Sequence, residues 1–220
     1  MSIDEADKER LTGQQIRDEA PDGWSYNLNK LIARFETGDF NTGAALVGTI
    51  AEAADRMNHH PDVDLRYPHL TVSLMSHDVD AVTARDIRLA RKISDLAADA
   101  GVSPTTTGPD VLELAIDTPD QEKIKPFWAA ILGYDAEGDA VSDSADRNPP
   151  IWFQSTDSDA PDRQRWHLDV SVSHEVAEAR IQAAIDAGGT LVDDGAAPSF
   201  WVLADPDGNK ACICTWQGRD

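Results

Sequence analysis

Gly101-Val102-Ser103-Pro104-Thr105-Thr106-Thr107-Gly108-Pro109-Asp110 decides how this chain is divided. The run consists of turn formers and threonines without apolar periodicity, the composition of a connection between structured segments. It lies near the middle of 220 residues, a length that by itself allows one large domain or two small ones. Two domains are expected, residues 1–103 and residues 104–220.

Working back from the seam, Gly23-Trp24-Ser25-Tyr26 and Leu31-Ile32-Ala33-Arg34-Phe35 read as short strands on either side of a polar turn. A helix is expected from about Asn41, with Leu46, Val47, Ile50, Ala54 and Met57 on one face and Pro61 beyond its end. Leu70, Val72 and Leu74 alternate with Thr71, Ser73 and Met75, as in a half-buried strand. Thr83 followed by Asp86 makes a capping-box start for a second helix carrying Ile87, Ala90, Ile93 and Ala97. This order predicts an α+β domain, an antiparallel sheet with helices on one face.

Working forward, the chain repeats itself. Val111-Leu112-Glu113-Leu114-Ala115-Ile116-Asp117 reads as a strand, followed by a helix with Ile124, Phe127, Trp128, Ile131 and Leu132, closed by Gly133. Pro126 is a local conflict inside that pattern, because it removes a backbone donor. Fifty-four residues on comes Trp166-His167-Leu168-Asp169-Val170-Ser171-Val172, then a helix with Val176, Ile181, Ala184 and Ile185, closed by Gly188-Gly189. The offset places Glu113 on His167 and Ile131 on Ile185. Further strand-like stretches at 150–153, 200–203 and 211–215 complete two β-α-β-β-β modules.

Composition limits the partners. Forty acidic side chains (30 Asp, 10 Glu) stand against 19 basic ones (13 Arg, 6 Lys), a net charge of −21. Such a surface repels phosphate backbones and anionic lipid heads, so no nucleic-acid or membrane partner is expected. Hydrophobic residues make up 41%, enough to bury a core. Residues 1–103 hold 18 acids and 11 bases, residues 104–220 hold 22 and 8, so the second domain is the more acidic. Cys212 and Cys214 stand two apart on one face of a strand, poor geometry for a disulfide, which points to a reduced, cytoplasmic chain. No apolar run reaches ~18 residues, and the start MSIDEADKER has no signal-peptide character.

Three of the six histidines form one arrangement. His59 and His60 follow the first helix directly, where its C-terminal partial charge favours imidazolium and Pro61 stops the chain from continuing helically. His77 ends the strand at 70–75, and a sheet packed by that helix can bring the two segments together. Imidazoles near pH ~6.5 serve as both acid and base. The plainer reading is a polar helix cap. A metal site is disfavoured, since adjacent histidines point apart and neither a helically spaced carboxylate nor a Cys joins them.

Residues from about 11 to 101 resemble the pterin-4a-carbinolamine dehydratase (4a-hydroxytetrahydrobiopterin dehydratase) family. The resemblance rests on Gly23-Trp24, the helix Ala51-Glu52-Ala53-Ala54-Asp55-Arg56-Met57, Asn58-His59-His60-Pro61-Asp62, Tyr67, Leu70-Thr71-Val72-Ser73-Leu74, His77 and Thr83-Ala84-Arg85-Asp86-Ile87. It implies dehydration of 4a-hydroxytetrahydropterin to quinonoid dihydropterin without metal or organic cofactor. It further implies His59 and His77 as acid/base groups, His60 as an orienting group, and Trp24, Asp62 and Asp86 around the pterin. A homo-oligomer is expected by the same resemblance, with the sheet edge as one contact. His69 lies outside the pattern and receives no catalytic role.

Residues 110–219 resemble the glyoxalase/bleomycin-resistance (vicinal oxygen chelate) superfamily through Phe127-Trp128-Ala129-Ala130-Ile131-Leu132-Gly133-Tyr134, Trp166-His167-Leu168-Asp169-Val170 and Asp205-Pro206-Asp207-Gly208-Asn209. That fold hosts many chemistries. Its metal-dependent members place ligands on the first and last strands of each module. Here that pattern offers Glu113 and His167, with Gln154 and Cys212 as weaker last-strand positions, an incomplete set. Two alternatives to the dehydratase stay open: a non-catalytic dimerisation or regulatory protein, and a metal-dependent lyase or dioxygenase in the second domain.

Overall fold

Leu31, Ala33 and Phe35 leave β2 (Lys30–Glu36) on one face, and in the register with β4 (His69–Leu74) they stand opposite Leu74, Val72 and Leu70. All six are fully buried. The period of two therefore places one face of the sheet against the helices. The computed structural model describes residues 5–106, 108–122, 125, 129, 134–157, 166–186, 189–204 and 210–219. The chain divides into two units, residues 1–109 with 216–220, and residues 110–215.

In the first unit the strand order is β1-β2-β4-β3, with β1 at Trp24–Asn27 and β3 at Asp62–Arg66, every pairing antiparallel. A short β5 (Ser103–Pro104) pairs with the end of β2, so the chain stays with this unit past the second helix. Helix α1 (Gly13–Glu19) starts on a Thr12/Gln15 capping box. Helix α2 (Phe40–Met57) starts on Asp39, whose carboxylate accepts from the Thr42 N–H. It buries Gly43, Leu46, Ile50, Ala53 and Ala54, and Gly43 lies so close to Leu65 that a Cβ would displace it. Helix α3 (Ala84–Asp99) buries Ile87, Leu89, Ala90, Ile93 and Ala97. These helices and the sheet face share one core with Ile16, Trp24 and Val82. Truncating such a side chain costs about 2–5 kcal/mol.

Trp216 belongs to this first unit as well; its ring sits against Gly13, leaving no room for a Cβ there. Elements α1 and β3 did not announce themselves in the sequence. The only buried residues of α1 are Gly13 and Ile16, too few for a period, and β3 is almost wholly exposed, so its partner β4 decides its conformation.

The second unit is one eight-stranded sheet in the order β11-β12-β13-β10-β6-β9-β8-β7. The first module supplies β6 (Val111–Thr118), β7 (Asp135–Glu137), β8 (Ala140–Ser142) and β9 (Ile151–Ser155). The second supplies β10 (Trp166–Ser171), α4 (Ala177–Asp186), β11 (Thr190–Asp193), β12 (Phe200–Ala204) and β13 (Lys210–Cys214). Strands β6 and β10 pair antiparallel at the centre, and each module's last strand runs parallel to its first, β9 with β6 and β13 with β10. The sequence repeat thus becomes a pseudo-twofold sheet. The helix expected around Ile124, Phe127, Trp128, Ile131 and Leu132, with Pro126 and Gly133, lies outside the described residues, as do Gly188 and residues 205–209. Among the described residues no helix is long and apolar enough to cross a membrane.

Candidate active site and a second polar cluster

Helix α2 ends on Asn58, which adopts the left-handed conformation (φ 48°, ψ 41°). The Asn58 N–H donates to Asp55 O at 3.2 Å and the His59 N–H to Ala54 O at 3.1 Å, a Schellman closure. Asparagine tolerates this conformation where most side chains clash. The closure turns His59 inward, to 9% exposure, at a position that is commonly apolar.

A buried imidazole needs a partner, and α3 supplies it. Asp86 is completely buried at the third position of that helix, where its Oδ2 accepts from the Thr83 N–H at 2.7 Å and closes the capping box. The same oxygen accepts from the Ser76 hydroxyl at 2.8 Å, and Oδ1 lies 2.7 Å from His59 Nε2. Burial alone would push the Asp86 pKa up. Hydrogen bonds from His59, the Thr83 N–H and Ser76 outweigh that and hold it below the ordinary carboxylate value. Helix-start polarity adds to the preference for the anion. One carboxylate therefore starts a helix, orients a histidine and ties down the residue before His77.

The other two histidines face outward, each beside its own aspartate. His60 Nε2 lies 3.0 Å from Asp55 Oδ1, and His77 Nε2 lies 3.9 Å from Asp62 Oδ2. Asp86 and Asp62 thus link the turn at 58–62 to the segment at 76–78 at two points. The next residue, Asp78, pairs with the buried Arg85 at 2.6 Å, fixing that segment against α3. A rigid imidazole with a carboxylate behind it, beside two solvent-facing imidazoles, suits proton transfer in both directions.

A second cluster lies on the face of the second sheet opposite α4. His167 and Asp169 leave the same face of β10, and Cys212 of β13 stands in register with Asp169. Their ligand-type atoms all fall within 4.8 Å of one another. His167 Nδ1 lies 3.4 Å from Asp117 Oδ1 and its Nε2 lies 3.5 Å from Asp169 Oδ1, while Trp152 approaches the ring edge-on. Asp169 Oδ1 is buried without a hydrogen-bond partner. Burial first, and then the Asp169 carboxylate, pushes the Cys212 thiol far above its usual pKa.

Residues 9–96 match the family described as pterin 4 alpha carbinolamine dehydratase, and residues 113–214 match a glyoxalase-like domain. A provisionally named pterin-4-alpha-carbinolamine dehydratase of Nocardia farcinica is 38% identical over 92 residues, spanning 40% of this chain and 96% of that protein. A relative of the same provisional name from Sulfurisphaera tokodaii is 37% identical over 89 residues, again 40% of this chain and 96% of its own length. Among solved structures, a transcriptional coactivator/pterin dehydratase from Brucella melitensis is 30% identical, covering 40% of this chain and 99% of its own, with a TM-score of 0.39.

The chain belongs to the pterin-4a-carbinolamine dehydratase family.

Its family domain is the first unit, and a glyoxalase-like domain makes up the second. Of the residues expected at the dehydratase site, His59 meets Asp86 and His77 lies beside Asp62, while His60 pairs with Asp55. Trp24 sits in the core instead, its indole N–H donating to Ser94 Oγ at 2.9 Å and its ring edge-on to Phe35. His69 contacts Arg34 at 2.9 Å at the end of β4. Sequence reasoning missed Asp55 and Ser76, and its expectation that no helically spaced carboxylate joins the histidines is corrected by Asp55, four residues before His59 and 3.0 Å from His60.

In the second unit two of the four expected ligands, His167 and Cys212, come together. Glu113 lies outside that group and faces Asp169 across the central strand pair, and Gln154 donates to the Ser155 carbonyl. His167 and Cys212 are retained from the expected set, and Asp169 of the same module joins them. The usable signal was the spacing of His167 and Asp169, two apart on one strand.

Proposed function

We propose that the first domain dehydrates 4a-hydroxytetrahydropterin to quinonoid dihydropterin, with His59, His60 and His77 as its working side chains. The observation that carries this reading is the buried His59–Asp86 contact at 2.7 Å, on a turn that also presents His60 and lies close to His77. In the reaction the N5 lone pair expels the C4a hydroxyl, which takes a proton from a general acid and leaves as water. A general base removes the proton from a ring nitrogen, so charge and atoms balance without a covalent intermediate or cofactor.

His59, held through Nε2 by Asp86, has Nδ1 for the pterin and shares acid/base work with His77. His60 orients the ring, with Asp62 at the rim beside His77. Arrangements in which a buried carboxylate fixes an imidazole serve the same purpose in other enzymes, setting ring orientation and tautomer. The protein is cytoplasmic and homo-oligomeric on this reading, and its partner is the small pterin.

The test is the rate of 4a-hydroxytetrahydropterin loss with wild type, His59→Ala and His77→Ala. Each substitution should slow turnover by roughly 10²–10⁴-fold, the usual contribution of a general acid or base. Unchanged rates in both variants would sink the proposal and favour a binding or regulatory role.

A further inference from the structure

We infer that His167, Asp169 and Cys212 form a zinc-class cation site contained within the second module of the glyoxalase-like domain. Asp117 Oδ1 stands 3.4 Å from His167 Nδ1, which leaves the other ring nitrogen, Nε2, facing Asp169. Asp169 Oδ1, 3.5 Å from that nitrogen, is buried and has no hydrogen-bond donor. A buried carboxylate oxygen without a donor is costly unless a cation reaches it.

Cys212 supplies the third donor atom, in register with Asp169 on the neighbouring strand and buried to 6% exposure. Nitrogen, oxygen and sulfur donors together suit a borderline-soft dication rather than magnesium or calcium. Ligands about 2.0–2.3 Å from a tetrahedral zinc lie about 3.3–3.8 Å apart, which brackets the separation of His167 Nε2 from Asp169 Oδ1. Asp117 then takes the role of a carboxylate behind a metal-binding histidine, fixing the tautomer. Three protein ligands leave a fourth position open to water or to an anionic oxygen of a small molecule.

This site keeps the second-module positions His167 and Cys212 and completes them with Asp169 in place of the first-module positions Glu113 and Gln154. It draws on two strands of one module, β10 and β13, and uses Asp169, a position the repeat pairs with Ala115 rather than with a ligand. The inference is independent of the dehydratase reading.

The full-length protein, stripped with chelator and dialysed, is titrated with Zn²⁺ and with Co²⁺. Uptake of one ion per chain is expected, with a near-ultraviolet thiolate-to-cobalt charge-transfer band that vanishes in Cys212→Ser. Asp117→Asn should keep the band and weaken binding by about 10–100-fold, the usual effect of losing a ligand's supporting partner. Circular dichroism establishes that each variant folds. If Cys212→Ser does not, Asp169→Asn replaces it, with loss of bound cobalt as the readout. Wild type that takes up cobalt without the thiolate band, or takes up none, overturns the site.

Discussion

Asp86 is the residue on which the first domain's site turns. Its carboxylate satisfies a helix terminus, a hydroxyl and an imidazole at once, and all of this is buried. Replacing it by Asn keeps the shape but loses the charge opposite His59; we expect a stability loss of roughly 3 kcal/mol, as for other broken buried pairs. The pH dependence has a definite sign. Because the folded-state pKa lies below the ordinary value, the contribution is present above about pH 4 and disappears as pH falls through the lowered folded value. Urea unfolding between pH 2 and 6 should therefore fall more steeply toward acid in wild type than in Asp86→Asn. Parallel curves would contradict the assignment. From sequence, the Thr83/Asp86 capping box was readable because it is local, whereas the second use of Asp86 depends on a histidine 27 residues away.

At the scale of elements, the exit of α2 determines where His59 points. Asn58 carries the left-handed conformation that lets the His59 N–H reach back to Ala54. Glycine adopts this conformation freely and a β-branched residue resists it. Asn58→Gly should fold and turn over nearly as wild type. Asn58→Val should lose about 1–2 kcal/mol of stability and, by moving His59 off Asp86, a larger share of activity. Thermal melts together with the dehydration assay check both; equal behaviour of the two variants would remove the role given to the closure. The helix itself was evident from Leu46, Ile50 and Ala54. Strand β3 was not, because Asp62–Arg66 buries almost nothing and owes its extension to β4.

For the whole molecule, the seam at 101–110 marked two domains, but the chain does not leave the first of them once. The second unit ends at Thr215 and Trp216 returns to pack on Gly13. The proposed homo-oligomer belongs to this scale too. Strand β3 ends the order of the first sheet and exposes Val63 to 44%, and strand edges of this kind recruit other copies of a chain. Light scattering of wild type against Val63→Lys should register a shift to a smaller species. A monomeric wild type, or an unaltered assembly in the variant, would count against that edge as the contact.

The order of amino acids by itself determined the periodicities, the capping box, the Asn58-His59-His60-Pro61 turn and the internal repeat, because each depends on neighbours within a few residues or on simple recurrence. Only the tertiary structure decided that Asp86 faces His59, that Trp24 gives its indole N–H to Ser94, and that His167 meets Asp169 and Cys212 instead of Glu113 and Gln154. Those outcomes follow from strand register and from the angle at which helices pack on a sheet. Both are set by the burial of many side chains together, and no short segment encodes them.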